Sequence, residues 1–132
     1  MVVSALSRSY LLDTLEAARD LLPMIAGQRP TEDPVWDSRP DPERFTPREV
    51  LAHLADWEAV FLERFTQTVR EEMPTLQNLD EGAIAIERGY ASQDPLANVA
   101  RFQAGRAELL QFLRSVPEPQ WDRGGGHRFY GP

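Results

Sequence analysis

The chain has 132 residues, of which 42% are hydrophobic and 27% charged, the size and balance of one folded domain and not of a disordered segment or of two separate cores. With 14 basic and 21 acidic side chains the net charge is −7, so a phosphate backbone would be repelled over most of the surface. Basic residues such as Arg8, Arg19, Arg48, Arg64, Arg88 and Arg114 are scattered, which excludes nucleic acid as the expected partner.

No cysteine occurs, so disulfides, a thiol nucleophile and cysteine-ligated metals are excluded; any metal must use His, Asp or Glu. The N-terminal residues lack a signal-peptide pattern, and no stretch approaches the ~20 apolar residues that span a bilayer. The expected location is the cytoplasm, with no membrane partner.

From Ser4 to about Leu22, apolar residues recur at helical spacing, with Leu11, Leu15, Ala18, Leu22 and Ile25 on one stripe and Asp13, Glu16 and Asp20 opposite. Pro23 either ends this first helix or kinks it before Gly27. Residues 28–44 carry Pro30, Pro34, Pro40 and Pro42, which forbid a regular helix, and Trp36 is the expected anchor of this crossing.

The second helix has the clearest start. Thr46 is its N-cap, Pro47 its first residue, Glu49 is placed to return a hydrogen bond, and Phe45 is placed to pack on Val50. Val50, Leu54, Trp57, Phe61 and Phe65 then mark its apolar face as far as about Glu72, with Pro74 beyond.

Thr75 to Gln93 forms a long connection in which Ala83 to Ile86 suggest a turn or two of helix between Gly82 and Gly89. Asp94 and Pro95 open a third long helix with Val99, Phe102, Leu109, Leu113 and Val116 buried, ended by Pro117 and Pro119. The tail from Gln120 is irregular, with Trp121, Gly124 to Gly126, His127, Phe129 and Tyr130, and no strand is expected anywhere.

The implied fold is all-α: an up-down, antiparallel bundle with three long helices. Three helices leave one side thinly covered. A fourth helix, an equivalent helix from another subunit or the aromatic tail would each complete the burial.

His53 is the one histidine within a helix, on the flank of the apolar stripe and about 40° from both Trp57 and Glu49 at roughly 100° per residue. With carboxylates at Glu49 and Asp56 within one turn, it can serve as a divalent-metal ligand; the alternative is a boundary histidine reaching solvent or a carbonyl. His127, after the glycines, is a weaker candidate. Arg106 lies near a buried stripe and requires an acidic partner such as Asp56 or an opening to water. No phosphate-binding loop and no serine nucleophile with a histidine base are present.

The run Phe45-Thr46-Pro47-Arg48-Glu49-Val50-Leu51-Ala52-His53-Leu54-Ala55-Asp56-Trp57-Glu58 resembles the second-helix motif of the DinB-like superfamily, and the order of Trp36, Glu87-Arg88-Gly89-Tyr90, Asp94-Pro95 and Trp121 to Phe129 is similar over the whole chain. The resemblance implies a four-helix bundle, often a homodimer, holding zinc or nickel through three histidines. Activities in the family include thiol-dependent S-transferases, isomerases and hydrolases, acting on small molecules through a metal-bound water or thiolate. His53 matches the first metal ligand, with Asp56 a weaker companion. The other two ligands of the family lie on a last helix, so the expectation is a single domain over 1–132 that stops before it and is inactive alone. The rival expectation is a non-catalytic helical domain that dimerises through the uncovered face.

Overall fold

A computed structural model describes residues 5–127. Three long helices, α1 (Ala5–Ala26), α2 (Pro47–Arg70) and α4 (Pro95–Ser115), account for most of it, with a short α3 (Glu81–Glu87) in the connection before α4. The fold is the expected all-α helical bundle.

α2, α3 and α4 begin where their caps place them. At α2, Thr46 Oγ1 accepts from the Glu49 amide at 3.2 Å while Glu49 Oε1 accepts from the Thr46 amide at 3.1 Å, so two otherwise unpaired donors satisfy each other's side chains. Asp94 caps α4 by accepting from the Leu96 and Ala97 amides, and Asp80 caps α3 by accepting from the Ala83 amide, with no reciprocal bond in either case. At Pro23 the first helix continues: α1 runs on to Ala26, and the Gly27 amide closes the last turn on the Pro23 carbonyl at 2.8 Å. Pro23 itself has no amide hydrogen to donate to the carbonyl of residue 19.

α4 is the central helix. It lies along both α2 and α1, whereas α1 and α2 make little direct contact. Leu51 and Val99 share one core cluster, Asp56 meets Arg101 and Glu58 meets Arg106, so numbers rise together and α2 and α4 run parallel. α1 runs against them, with Ala26 in the Val99 cluster and the Leu15 carbonyl at Arg106. The simple alternation expected of the bundle therefore holds for α1 and gives way between α2 and α4, because the 71–94 connection is long enough to carry the chain back before α4 begins.

That connection is fixed at two places. Thr75–Leu76 (β1) pairs in parallel with Gly126–His127 (β2), a two-residue ladder that the sequence did not announce. Gly89, in the left-handed region at φ 64°, turns the chain from α3 into a short 3-10 turn that buries Tyr90. In the proline-rich crossing, Trp36 is the expected anchor: it is buried with Ala26, Leu51 and Val99, and its indole N–H donates to the Pro30 carbonyl at 2.7 Å.

The face that α2 buries is shifted from the one its apolar residues mark. Val50, Phe61 and Phe65 stay 36–39% exposed, whereas Leu51, Ala52, Ala55, Asp56, Trp57 and Glu58 are buried. Two carboxylates enter the interior because arginines from elsewhere in the fold meet them, which periodicity in α2 alone does not register.

Candidate functional site

His53 projects from the first half of α2 between two aromatic rings. The Trp57 ring lies 4.2 Å away, tilted by 37°, and the Phe45 ring 5.6 Å away at 55°. Phe45 in turn meets Tyr90 edge-on at 6.3 Å. Phe45 precedes the capping Thr46, so the same cap that starts α2 sets this ring against the imidazole about two turns later. Val50, its expected packing partner, is left exposed.

The Nδ1 atom of His53 is buried and has no hydrogen-bond partner among the described residues. A buried polar nitrogen without a partner is uncommon and calls for a metal ion or a hydrogen-bonding group from beyond the described side chains. An imidazole held between rings with a nitrogen to spare suits one coordination position of a divalent metal.

The carboxylates expected beside it are otherwise engaged. Asp56 accepts from the Tyr90 hydroxyl at 2.6 Å and from Arg88 at 2.9 Å on one oxygen, and from Arg101 at 2.6 Å on the other. Burial alone pushes the Asp56 carboxyl up, yet hydrogen bonds from Tyr90, Arg101 and Arg88 outweigh it and hold the group below the usual carboxylate range. Burial, with the hydrogen bond to Asp56, pushes the Tyr90 hydroxyl well above the ordinary tyrosine range, so it stays a donor. Glu49 serves the α2 cap and also pairs with Arg39. To bind a metal, Asp56 would have to give up two arginines.

A hydrogen-bonded series continues outward from Asp56. Arg101 donates to Asn98, Asn98 to the Gln93 side chain, and Arg48 to the Gln93 carbonyl, while Arg48 also pairs with Asp37 at 2.9 Å. It ties Gln93, at the end of the 71–94 connection, and Asp37, in the proline-rich crossing, to α2 and α4. Arg88, Tyr90 and Arg101 were given no role by the sequence because they meet Asp56 from 32 to 45 residues away. Arg106 pairs with Glu58 and not with Asp56: Glu58 lies opposite it, beside Gly105 of α4.

Among the described residues no three His, Asp or Glu side chains converge on a point where a metal would sit. The described side chains thus offer one ligand, His53, and not a closed site. The His127 backbone belongs to β2, while its side chain lies outside the described residues. No helix among the described residues is long and apolar enough to cross a membrane.

Three long helices, a crossover between two parallel ones and a ring-framed histidine define an all-α bundle of the four-helix type. The DinB superfamily model matches residues 14–132, and the chain belongs to that superfamily. It is 31% identical over 88 residues to the Bacillus subtilis (strain 168) protein named "Putative metal-dependent hydrolase YfiT", a match covering 67% of this chain and 47% of that protein. The chain therefore spans about half the length of this curated relative. A solved structure described as "YfiT from Bacillus subtilis is a probable metal-dependent hydrolase with an unusual four-helix bundle topology" superposes with a TM-score of 0.86 at 25% identity, covering 96% of this chain and 71% of that one.

Proposed function

We propose that this domain is part of a divalent-metal-dependent hydrolase in which His53 supplies one imidazole ligand. The observation that carries the reading is the buried, unpartnered Nδ1 of His53 between Phe45 and Trp57, in a chain of the DinB superfamily with a relative named as a metal-dependent hydrolase. Zinc or nickel bound there would supply a Lewis acid and a water, or a low-molecular-weight thiol, made acidic enough to attack near neutral pH. Thiol S-transfer to a small molecule is the companion activity on the same centre, carried by the family resemblance.

The chain's own residues orient and shield. Trp57 and Phe45 restrict the imidazole to one plane and keep water from its faces, and Asp56 holds Tyr90, against which Phe45 rests. Further ligands must come from groups beyond the described side chains. The test is hydrolysis of a panel of small esters and amides with added zinc or nickel. Metal-dependent activity that is lost in His53→Ala supports the reading; metal-dependent activity that His53→Ala retains in full overturns it.

A second reading is a non-catalytic homodimerisation domain. It is favoured by apolar residues left outside on α1, where Leu6 is 83%, Tyr10 70% and Met24 65% exposed. Metal-independent, concentration-dependent dimers in sedimentation would select it; a monomer throughout would reject it. The cysteine-free composition supports placement in the cytoplasm.

A further inference from the structure

A metal-ligating imidazole is ordinarily held in place by a hydrogen bond from its second ring nitrogen to a carboxylate or a carbonyl. The two carboxylates within one turn of His53 do not serve it in this way: Glu49 is bonded to Thr46 and Arg39, and Asp56 to Tyr90, Arg88 and Arg101. What meets the ring is aromatic, Trp57 at 4.2 Å and Phe45 at 5.6 Å between centroids. The orientation of the imidazole therefore depends on how firmly those two rings are themselves held.

They are not held alike. Trp57 belongs to α2 and is buried, whereas Phe45 stands before the helix begins and is only half-buried, so its ring needs a backing from elsewhere in the fold. Tyr90 supplies it. The two rings meet edge-on at 6.3 Å and 73°, a favoured aromatic arrangement. Gly89, in the left-handed region, delivers Tyr90 into a small cluster with Ala52, the residue before His53, and Ala85 of α3, and Phe45 packs against that cluster. Tyr90 is 0% exposed. Its hydroxyl donates to Asp56 at 2.6 Å, and Asp56 is gripped by Arg88 and Arg101, so the ring cannot tilt or withdraw without breaking a buried, charge-assisted hydrogen bond.

We propose that Tyr90 is a positioning residue for His53: from the turn after α3 it wedges Phe45 against the imidazole and fixes the ring orientation that a hydrogen-bonded carboxylate would otherwise set. Its purpose, though not its geometry, rests on the reading of His53 as a metal ligand. The 71–94 connection thereby shapes the site as well as carrying the chain back to α4.

The test reads the His53 ring protons by NMR without metal, then zinc affinity by titration, in the full chain and in variants whose folding is checked by thermal melting. Tyr90→Leu should move the His53 ring-proton signals, which lie under the ring currents of Phe45 and Trp57, and weaken zinc binding about tenfold, as losing a group that orients a ligand does. Tyr90→Phe keeps the wedge and should retain both properties. Leu113→Ala, a core change farther along α4, should lower the melting temperature and leave the His53 signals in place. Phe45→Leu should reproduce the effect of Tyr90→Leu, and it decides the matter if Tyr90→Leu does not fold. Unchanged His53 signals in folded Tyr90→Leu or in Phe45→Leu would overturn the proposal, as would equal displacement by Leu113→Ala. A wild-type chain that takes up no zinc would instead count against the metal reading, and the metal-free ring signals would still decide the role of Tyr90.

Discussion

Arg106 on α4 donates to both carboxylate oxygens of Glu58 on α2, at 2.7 Å each, and to the Leu15 carbonyl of α1 at 3.0 Å. One guanidinium thus joins all three long helices, with Glu58 only 2% and Arg106 9% exposed. It is also one of the points at which α1, which has little contact with α2, is registered against α4, together with Arg114–Glu16 at 3.0 Å and the Ala26–Val99 cluster.

Removing one partner of this pair should be costly because the other is left buried and charged. Arg106→Met or Glu58→Met is expected to lower stability by about 3–5 kcal/mol in urea unfolding. The double variant Glu58→Met/Arg106→Met should lose less than the sum of the singles. Strict additivity would show that the pair is not coupled.

Asp56 gives the fold a defined acid sensitivity. Its carboxyl is held below its unfolded value, so the native state binds fewer protons than the unfolded chain in that window. Its contribution is complete above the unfolded pKa of about 3.9 and is lost as pH falls through the folded value. Melting temperatures of wild type and Asp56→Asn should differ most near neutral pH and converge as pH falls below about 4. Curves that stay parallel well below that pH would contradict the assignment.

Gly105 sets the spacing of α2 and α4. A Cβ built there would lie 2.8 Å from the Glu58 Cβ, so the helices must part or Glu58 must shift. Alanine, normally better than glycine inside a helix by about 1 kcal/mol, should here destabilise by about 1–3 kcal/mol. Gly82→Ala, where the nearest atom would be 3.6 Å away, should be tolerated. Thermal melting of the two variants checks the contrast, and a Gly105→Ala protein as stable as wild type would refute it.

Much of the scaffold was legible because it is written locally. The capped start of α2 at Thr46 and Pro47, the Asp94-Pro95 start of α4, the turn or two of helix near Ala83 and the anchoring Trp36 are all present as the sequence implies. What escaped was long-range. The buried Asp56 and Glu58 look like solvent-facing positions of an amphipathic helix until Arg88, Arg101 and Arg106 arrive from 32 to 48 residues away. The parallel run of α2 and α4 depends on the path of the crossover, which has no periodic signature, and the β1–β2 pairing joins segments about fifty residues apart. At the site, spacing identified His53 but could not show that Asp56 beside it is committed to two arginines and a tyrosine.

The most direct test of the account is a histidine-ring ¹H–¹⁵N correlation spectrum of the chain recorded while zinc is added. Only two histidines are present, so His53→Ala assigns the signals at once. The account predicts that the His53 ring nitrogens shift or broaden on zinc addition and that zinc uptake falls in His53→Ala. Unmoved His53 signals, together with equal zinc uptake by the variant, would contradict it.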